Sequence, residues 1–193
     1  KKILYIIDRK SPDYPKVSPY SKNVVPFMSL RHMCSLLAAD LIVSSDSKYH
    51  AYATQCRHSI FNRYIKKKKS VFLQHGVTAL KRVDSIYGKG NRSACDLFIV
   101  TNTMEEKIIL DNFGYEPAEV ANTGFARWDV LKDCSQESHN ILIMPTWRNW
   151  LDSVSDEAFE DSTYFRNYML LLNSGHFNEI LEKHDLQIYF YLH

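Results

Sequence analysis

Short apolar runs rich in β-branched residues alternate along this chain with segments of helical periodicity, and no other feature restricts the fold as strongly. Strands that alternate with helices form βαβ units around a parallel sheet. The predicted fold class is therefore α/β, of the Rossmann type. Predicted strands lie at 3–7, 41–43, 71–73, 97–100, near Val120 and at 141–144, and predicted helices at 23–39, 60–65 and 103–113, the last between cap candidates at 101–103 and Gly114.

A polar stretch without periodicity, at 133–140, is typical of a linker between domains. The strand pattern restarts directly after it. We therefore predict an N-terminal Rossmann-like domain over 1–132, and the beginning of a second Rossmann-like domain over 141–193, which resembles the GT-B plan. The first residue is Lys, and the last apolar run, 187–192, is typical of a buried strand. Both ends are accordingly expected to be cuts within a longer, truncated protein.

Composition excludes several classes of protein. Hydrophobic residues make up 45% of the chain and charged residues 24%, so disorder is not expected. No apolar run approaches the ~20 residues of a membrane span, and no signal-peptide pattern is present. The net charge of +2 gives no indication of a nucleic-acid partner. Four cysteines without a CxxC pair, expected to be buried and reduced in a cytosolic protein, are Cys34, Cys56, Cys95 and Cys134.

Charge is nevertheless distributed unevenly. Lys66 to Lys69 form an unbroken basic run, and further basic residues follow as far as Arg92. A basic face of this kind could attract phosphate-rich or anionic lipid surfaces. The alternative is a rim of solvated surface lysines.

Polar side chains follow three of the predicted strands, at 44–46, 74–76 and 145–148. Ligands of open parallel sheets bind beyond the carboxyl ends of the strands. His75 could accept a hydroxyl proton there, because a free imidazole titrates near pH ~6.5; the alternative is a histidine that only bonds loop backbone. Arg148 could bind phosphate oxygens with its planar fork of donors, or could form an exposed or interdomain salt bridge.

Four motifs in one order extend this interpretation. They are QHGVTALK at 74–81, DLFIVT at 96–101, TGFARWDVL at 123–131 and MPTWR at 144–148. Their order resembles that of the CDP-glycerol:poly(glycerophosphate) glycerophosphotransferases, the teichoic acid polymerase-like family, whose pattern runs HGTPLK, GxPRxD and PTWRD. The chain departs from it by one extra residue after Gly76, by Ala126 in place of proline and by Asn149 in place of aspartate. A TDxSS region that binds donor phosphate in the family would lie beyond His193.

The resemblance implies a GT-B-like enzyme with an acceptor-side first domain and a nucleotide-donor second domain. It would transfer glycerol phosphate, or ribitol phosphate, from a CDP-activated donor to a hydroxyl of a lipid-linked teichoic acid or other cell-surface polymer, and release CMP. His75 would be the general base. The resemblance also implies substrate or phosphate contacts at Gly76, Lys81, Thr146, Arg148 and His193.

Other residues of the motifs are expected to be structural. Arg127 and Asp129 would pair with each other or with backbone to fix a loop, and Trp147 and Trp150 would pack in a core or hinge. Ser45 and Asp46 could contact the acceptor, but their expected role is to cap the end of a strand.

The expected partners are CDP-glycerol or CDP-ribitol, a lipid-linked polymer acceptor and an anionic membrane surface, with no nucleic acid. No covalently bound cofactor and no protein metal site are expected, and a Mg²⁺ requirement stays open. The expected location is cytoplasmic, peripheral to the inner face of the cell membrane. Two alternatives remain: a GT-B nucleotide-sugar glycosyltransferase or epimerase, and a non-catalytic module that binds polyanions or membranes.

Overall fold

The computed structural model describes residues 2–51, 60–78, 82–135, 138–146 and 148–191, and the chain divides into two units, Lys1–Val130 and Leu131–His193. The first unit has the strands β1 (Tyr5–Ile7), β2 (Val24–Pro26), β3 (Leu41–Ser44), β4 (Lys69–Phe72), β5 (Leu97–Val100) and β6 (Val120–Asn122). Its helices are α1 (Tyr14–Val17), α2 (Leu30–Ala38), α3 (Ile60–Lys67), α4 (Asp84–Tyr87) and α5 (Thr103–Phe113). Short 3-10 turns lie at Ser18–Tyr20, Lys48–Ala51, Pro117–Glu119 and Ala126–Val130.

The main sheet of the first unit has four parallel strands in the consecutive order β3-β4-β5-β6. Helices α3, α4 and α5 lie between successive strands in the sequence. Strands β1 and β2 form a separate parallel pair. The α/β class and the Rossmann-like parallel sheet are thus confirmed. The expectation that the strand at 3–7 is buried is wrong in part: Tyr5 of β1 is exposed, whereas Ile6 and Ile7 are half-buried.

Helix α5 is capped at both ends by residues of the types that usually cap helices. The side chain of Asn102 accepts a hydrogen bond from the backbone N–H of Glu105 at 2.9 Å, and Gly114 ends the helix with a φ of 73° in the left-handed region. This is the longest helix that the structure describes, and in the described part of the chain no helix has the length and apolar character of a membrane span.

An aromatic cluster forms the core of the first unit, between the sheet and α5. Phe98 of β5 is 1% exposed and contacts Phe72, Phe113 and Tyr115 edge-on, at ring-centroid distances of 5.0, 6.1 and 5.3 Å. Such contacts add to the apolar area that the rings bury. A smaller cluster of Leu36, Ile42 and Ile65 joins α2, β3 and α3.

The helix predicted over 23–39 is wrong at its beginning. Residues Val24–Pro26 form β2, and α2 begins only at Leu30. Pro26 lacks an N–H and disfavours helical geometry in the residue before it, while β-branched neighbours favour a strand. The side chain of Ser29 then caps α2 by accepting a hydrogen bond from the N–H of His32.

Acidification below pH ~6.5 is expected to destabilise the first unit through His32. This residue is 0% exposed, and its Nδ1 accepts a hydrogen bond from the N–H of Met28 at 3.0 Å. Burial lowers the pKa of His32, so the unfolded chain takes up the proton first. Its contribution to stability is therefore complete above the unfolded pKa and is lost as the pH falls towards the folded pKa.

Chemical denaturation at neutral and mildly acidic pH measures this effect. In His32→Gln, which keeps an acceptor near Met28, the loss of unfolding free energy on acidification is expected to be smaller than in the wild type. An equal loss in both proteins would contradict the assignment to His32.

The second unit has the parallel strands β7 (Asn140–Ile143) and β8 (Gln187–Phe190). Its helices are α6 (Asp156–Glu160), α7 (Thr163–Leu172) and α8 (Gly175–Lys183), with a 3-10 turn at Asn149–Leu151. A serine caps each of the three helices at its N-terminus. The expectation that 187–192 forms a buried strand is wrong in part: Ile188 and Phe190 are half-buried, but Tyr189 is exposed, because successive side chains point to opposite faces.

The cysteines only partly follow the prediction. Cys34, Cys95 and Cys134 are free thiols, but Cys34 and Cys134 are exposed, so the expectation that they are buried is wrong. Cys34 lies outside the two apolar clusters of the first unit, and Cys134 belongs to the second unit. Burial raises the pKa of the Cys95 thiol. Cys56 lies outside the described residues.

Candidate active site

His75 lies in the loop that follows β4, at the carboxyl-end edge of the sheet, and its side chain is exposed. The Nδ1 atom lies 2.9 Å from the backbone carbonyl oxygen of Ser45, which follows the neighbouring strand β3. A carbonyl oxygen only accepts hydrogen bonds, so Nδ1 carries the proton in this contact. In the neutral ring, Nε2 then has the free lone pair. The ring therefore bonds loop backbone through one nitrogen and has the basic nitrogen left for a second partner.

Asp46 is bound by three groups at the same edge. Its Oδ1 accepts hydrogen bonds from the N–H of Ser47 at 2.6 Å and from the hydroxyl of Tyr87 at 3.0 Å, and its Oδ2 lies 3.0 Å from Nδ1 of His50. Partial burial raises the pKa of Asp46, but these bonds and the charge of His50 hold it below the ordinary value. Burial and the bond to Asp46 raise the pKa of Tyr87 to about 12. Asp46 thus binds groups from several segments, beyond the strand-end capping expected from sequence.

Glu105 connects the loop of His75 to α5. It is 1% exposed, although it is a charged residue in the first turn of a helix. Its Oε1 accepts hydrogen bonds from the N–H of Thr78 at 2.6 Å and from Nε2 of Gln74 at 3.3 Å. Its Oε2 accepts from the N–H and the hydroxyl of Thr101, at 2.8 and 2.7 Å. The carboxylate thereby joins the segments that follow β4 and β5.

The residue before His75 has a strained backbone conformation, and the residue after it has open space beside its backbone. Gln74 has a φ of 64°, in the left-handed region that residues other than glycine rarely adopt. Gly76 does not have such a φ, and a Cβ added there would meet no described atom within 4 Å. There is thus open space beside the backbone at Gly76, and its contact with a ligand stays a prediction. Lys81, a predicted phosphate contact, lies outside the described residues.

In the second unit, Arg148 follows β7 and contacts Thr146 and two aromatic rings. Its Nη1 donates hydrogen bonds to the carbonyl oxygen of Thr146, at 2.9 Å, and to the hydroxyl of the same residue. Its Cζ lies 5.4 Å from the ring centroid of Tyr164 and 5.8 Å from that of Trp150. Trp150 is 68% exposed, so the expectation of core packing is wrong for this residue, and the expected alternative, packing in a hinge, stays a prediction.

Two further positions named from the sequence, Trp147 and His193, lie outside the described residues. Among the residues that are described, no group of three or more His, Cys, Asp or Glu side chains is arranged to hold a metal ion. The possible Mg²⁺ requirement stays a prediction.

The expected pairing of Arg127 with Asp129 is not found among the described ion pairs, and the expected alternative, pairing with backbone, stays a prediction. Arg127 lies over the ring of Phe125, with its Cζ 4.0 Å from the ring centroid, and no ion pair between described residues joins it to Asp129. Both side chains are exposed on the 3-10 turn Ala126–Val130. Water screens their charges there, whereas Phe125 is buried and offers the guanidinium a ring face.

Glu105 was not predicted from the sequence to belong to this site; it simply lies within the predicted helix 103–113. The available signal was its spacing from Asn102, since a Glu three residues after a cap residue commonly bonds backwards to the chain before the helix. The spacing indicates a bond to the backbone N–H of Asn102, whereas the carboxylate accepts from the adjacent Thr101. The contact with the loop of His75 depends on the pairing of β4 and β5, which the spacing does not reveal.

Comparison with known proteins supports the interpretation of the motifs. The chain matches, over residues 1–193, the model of the family described as CDP-Glycerol:Poly(glycerophosphate) glycerophosphotransferase. It is similar to the "Minor teichoic acid biosynthesis protein GgaB" of Bacillus subtilis (strain 168), with 29% identity over 98% of this chain. The chain spans 22% of the length of that relative. No solved structure matches the chain significantly. The motifs, the parallel sheet and the match over the whole chain show that this chain belongs to the CDP-glycerol:poly(glycerophosphate) glycerophosphotransferase family.

Proposed function

We propose that the protein transfers glycerol phosphate from CDP-glycerol to a hydroxyl group of a teichoic acid-type polymer. In this step the acceptor oxygen attacks the β-phosphorus of the donor and forms a new P–O bond. The bond from that phosphorus to the bridging oxygen breaks, and CMP leaves with the electron pair. His75 takes the proton of the attacking hydroxyl on Nε2. CDP-ribitol as donor is the closest variant of the same chemistry.

The observation that carries this proposal is the contact between His75 and Ser45. The carbonyl oxygen of Ser45 accepts from Nδ1, which orients the ring and selects the tautomer whose Nε2 is basic. The side chain is exposed at the edge of the sheet where ligands of parallel α/β folds bind. A general base needs both properties, because it must reach the substrate and must be able to accept its proton.

Charge stabilisation is assigned to the remaining motif residues. Arg148 and Thr146 are proposed to bind donor phosphate oxygens, since the planar guanidinium is held beside two aromatic rings and Thr146 and its charge suits phosphate. Lys81 and His193 are proposed to bind phosphate on the basis of the family motifs alone. Gly76 is proposed to admit the acceptor close to the backbone.

The proposed acceptor is lipid-linked, and the protein is proposed to attach peripherally to an anionic membrane. The basic run supports this location, because the side chains of Lys66, Lys67 and Lys69 are exposed. Lys68 is half-buried and donates to the carbonyl oxygen of Leu37.

Release of CMP from CDP-glycerol by the intact gene product, with a lipid-linked poly(glycerol phosphate) primer, tests the proposal. We expect turnover of CDP-glycerol or CDP-ribitol and none of UDP-sugars. Turnover of UDP-sugars alone would instead establish the nucleotide-sugar alternative. In the same preparations, the protein is expected to leave membranes in high salt, and salt-insensitive association would contradict the peripheral location.

A further inference from the structure

The buried carboxylate of Glu105 lies behind the loop of His75, on the side away from solvent. It receives four hydrogen bonds from three residues, two of them from backbone N–H groups. A carboxylate that is 1% exposed is costly to bury unless such donors replace its lost hydration. The four donors satisfy this requirement, and none of them belongs to α5.

Glu105 contacts residues on both sides of His75 in the sequence, Gln74 before it and Thr78 after it. Gln74, directly before the histidine, donates from its side chain to Glu105 and also to the hydroxyl of Thr78 at 2.7 Å. Thr78 donates its backbone N–H to Glu105 at 2.6 Å. Both ends of the segment from 74 to 78 are therefore attached to one carboxylate. Gln74, whose side chain makes two of these bonds, has the unfavourable positive φ of 64°.

The position of the imidazole thus depends on contacts with two neighbouring segments. Ser45, after β3, orients the ring through Nδ1, while Glu105, after β5, holds the backbone from which the ring projects. Strand β4 lies between those two strands in the sheet. Without the contacts of Glu105, the segment 74–78 could leave the positive φ at Gln74. The imidazole, and with it Nε2, would then move.

We propose that Glu105 is the positioning residue for His75: it acts through the loop 74–78 and does not touch the substrate. This inference rests on the proposed function, in which His75 is the general base. It predicts a defect in the chemical step that exceeds any defect in binding of the donor.

The isosteric variant Glu105→Gln is the main test. It replaces one acceptor oxygen by an NH₂ group that faces N–H donors, so the segment loses at least one attachment. We expect kcat for CMP release from CDP-glycerol to fall about 10- to 100-fold, as for a misplacement of about 1 Å, with KM for CDP-glycerol changed by less than about twofold. The intact gene product with the lipid-linked poly(glycerol phosphate) primer is the system to use.

Glu106→Gln is the matched control. It removes the same charge from the same helical turn, and the Glu106 carboxylate makes no hydrogen bond or ion pair with the described residues. We expect wild-type kcat for this variant. Equal losses in the two variants would overturn the inference, because they would assign the effect to charge at the helix end.

A third variant covers the case in which Glu105→Gln does not fold. Gln74→Ala leaves the carboxylate bound to Thr78 and Thr101 and removes the two hydrogen bonds of the Gln74 side chain, to Glu105 and to the hydroxyl of Thr78. Its kcat is expected to fall about tenfold with KM nearly unchanged. Wild-type kcat in a folded Glu105→Gln, or in Gln74→Ala if the former does not fold, would overturn the inference. His75→Ala, assayed in parallel, separates this result from a failure of the proposed function, which would leave His75→Ala active.

Discussion

Replacing His75 by alanine is expected to lower the rate of CMP release from CDP-glycerol by about 10²- to 10⁴-fold, the usual contribution of a general base. The fold should remain intact, because the side chain is exposed and its hydrogen bond is to a single carbonyl oxygen, that of Ser45. Single-turnover kinetics with saturating donor measures the chemical step directly, and circular dichroism checks the fold.

His50→Ala is the control for this experiment. It removes another imidazole near the same edge, one whose Nδ1 is bound to Asp46 at 3.0 Å. We expect its rate to stay within a few-fold of the wild type. A comparable loss in both variants would mean that His75 is not specifically the base. Unchanged function of His75→Ala would favour the non-catalytic polyanion- or membrane-binding module.

Replacing Phe98 by alanine is expected to destabilise the first unit by about 3–5 kcal/mol, the usual cost of removing a buried phenyl ring. Phe98 is 1% exposed and contacts three other aromatic rings, so its removal leaves a cavity that these rings cannot fill without moving. Such a loss approaches the whole stability of many domains. Strand β5, which carries Phe98, pairs with the strand that precedes the loop of His75.

Urea denaturation measures this loss, and hydrogen exchange at the amides of Leu97–Val100 assigns it to the first unit. Tyr20→Ala is the control, since Tyr20 is exposed and its replacement is expected to change the free energy of unfolding by about 0.5 kcal/mol or less. A loss below about 1 kcal/mol in Phe98→Ala would contradict the assignment of Phe98 to the core.

Where local signals agree with one another, the sequence predicted the fold closely. Helix α5 has a cap residue, acidic residues in its first turn and a terminal glycine, and β5 is an unbroken apolar run of four residues, so both have the predicted bounds. The failure at 23–39 arose where signals conflict. The apolar spacing there suits a helix, but Pro26 and its β-branched neighbours favour the strand that pairs with β1.

The candidate site shows the same distinction at the level of side chains. His75 could be identified because it directly follows an apolar strand and precedes glycine. Its partner Ser45 is 30 residues away in sequence, and the link from Glu105 to Thr78 spans 27 residues. The hydrophobic periodicity of the sequence indicates neither contact. They exist because parallel strands bring their carboxyl ends to one edge.

By itself, the sequence determined the alternation of strands and helices, the caps of α5 and the candidate base, since these depend on neighbouring residues and on hydrophobic periodicity. Only the tertiary structure decided which nitrogen of His75 is free and which carboxylate holds its loop. The physical reason is that strand pairing selects the hydrogen-bond partners, and burial then makes those bonds obligatory, as the four donors to Glu105 show.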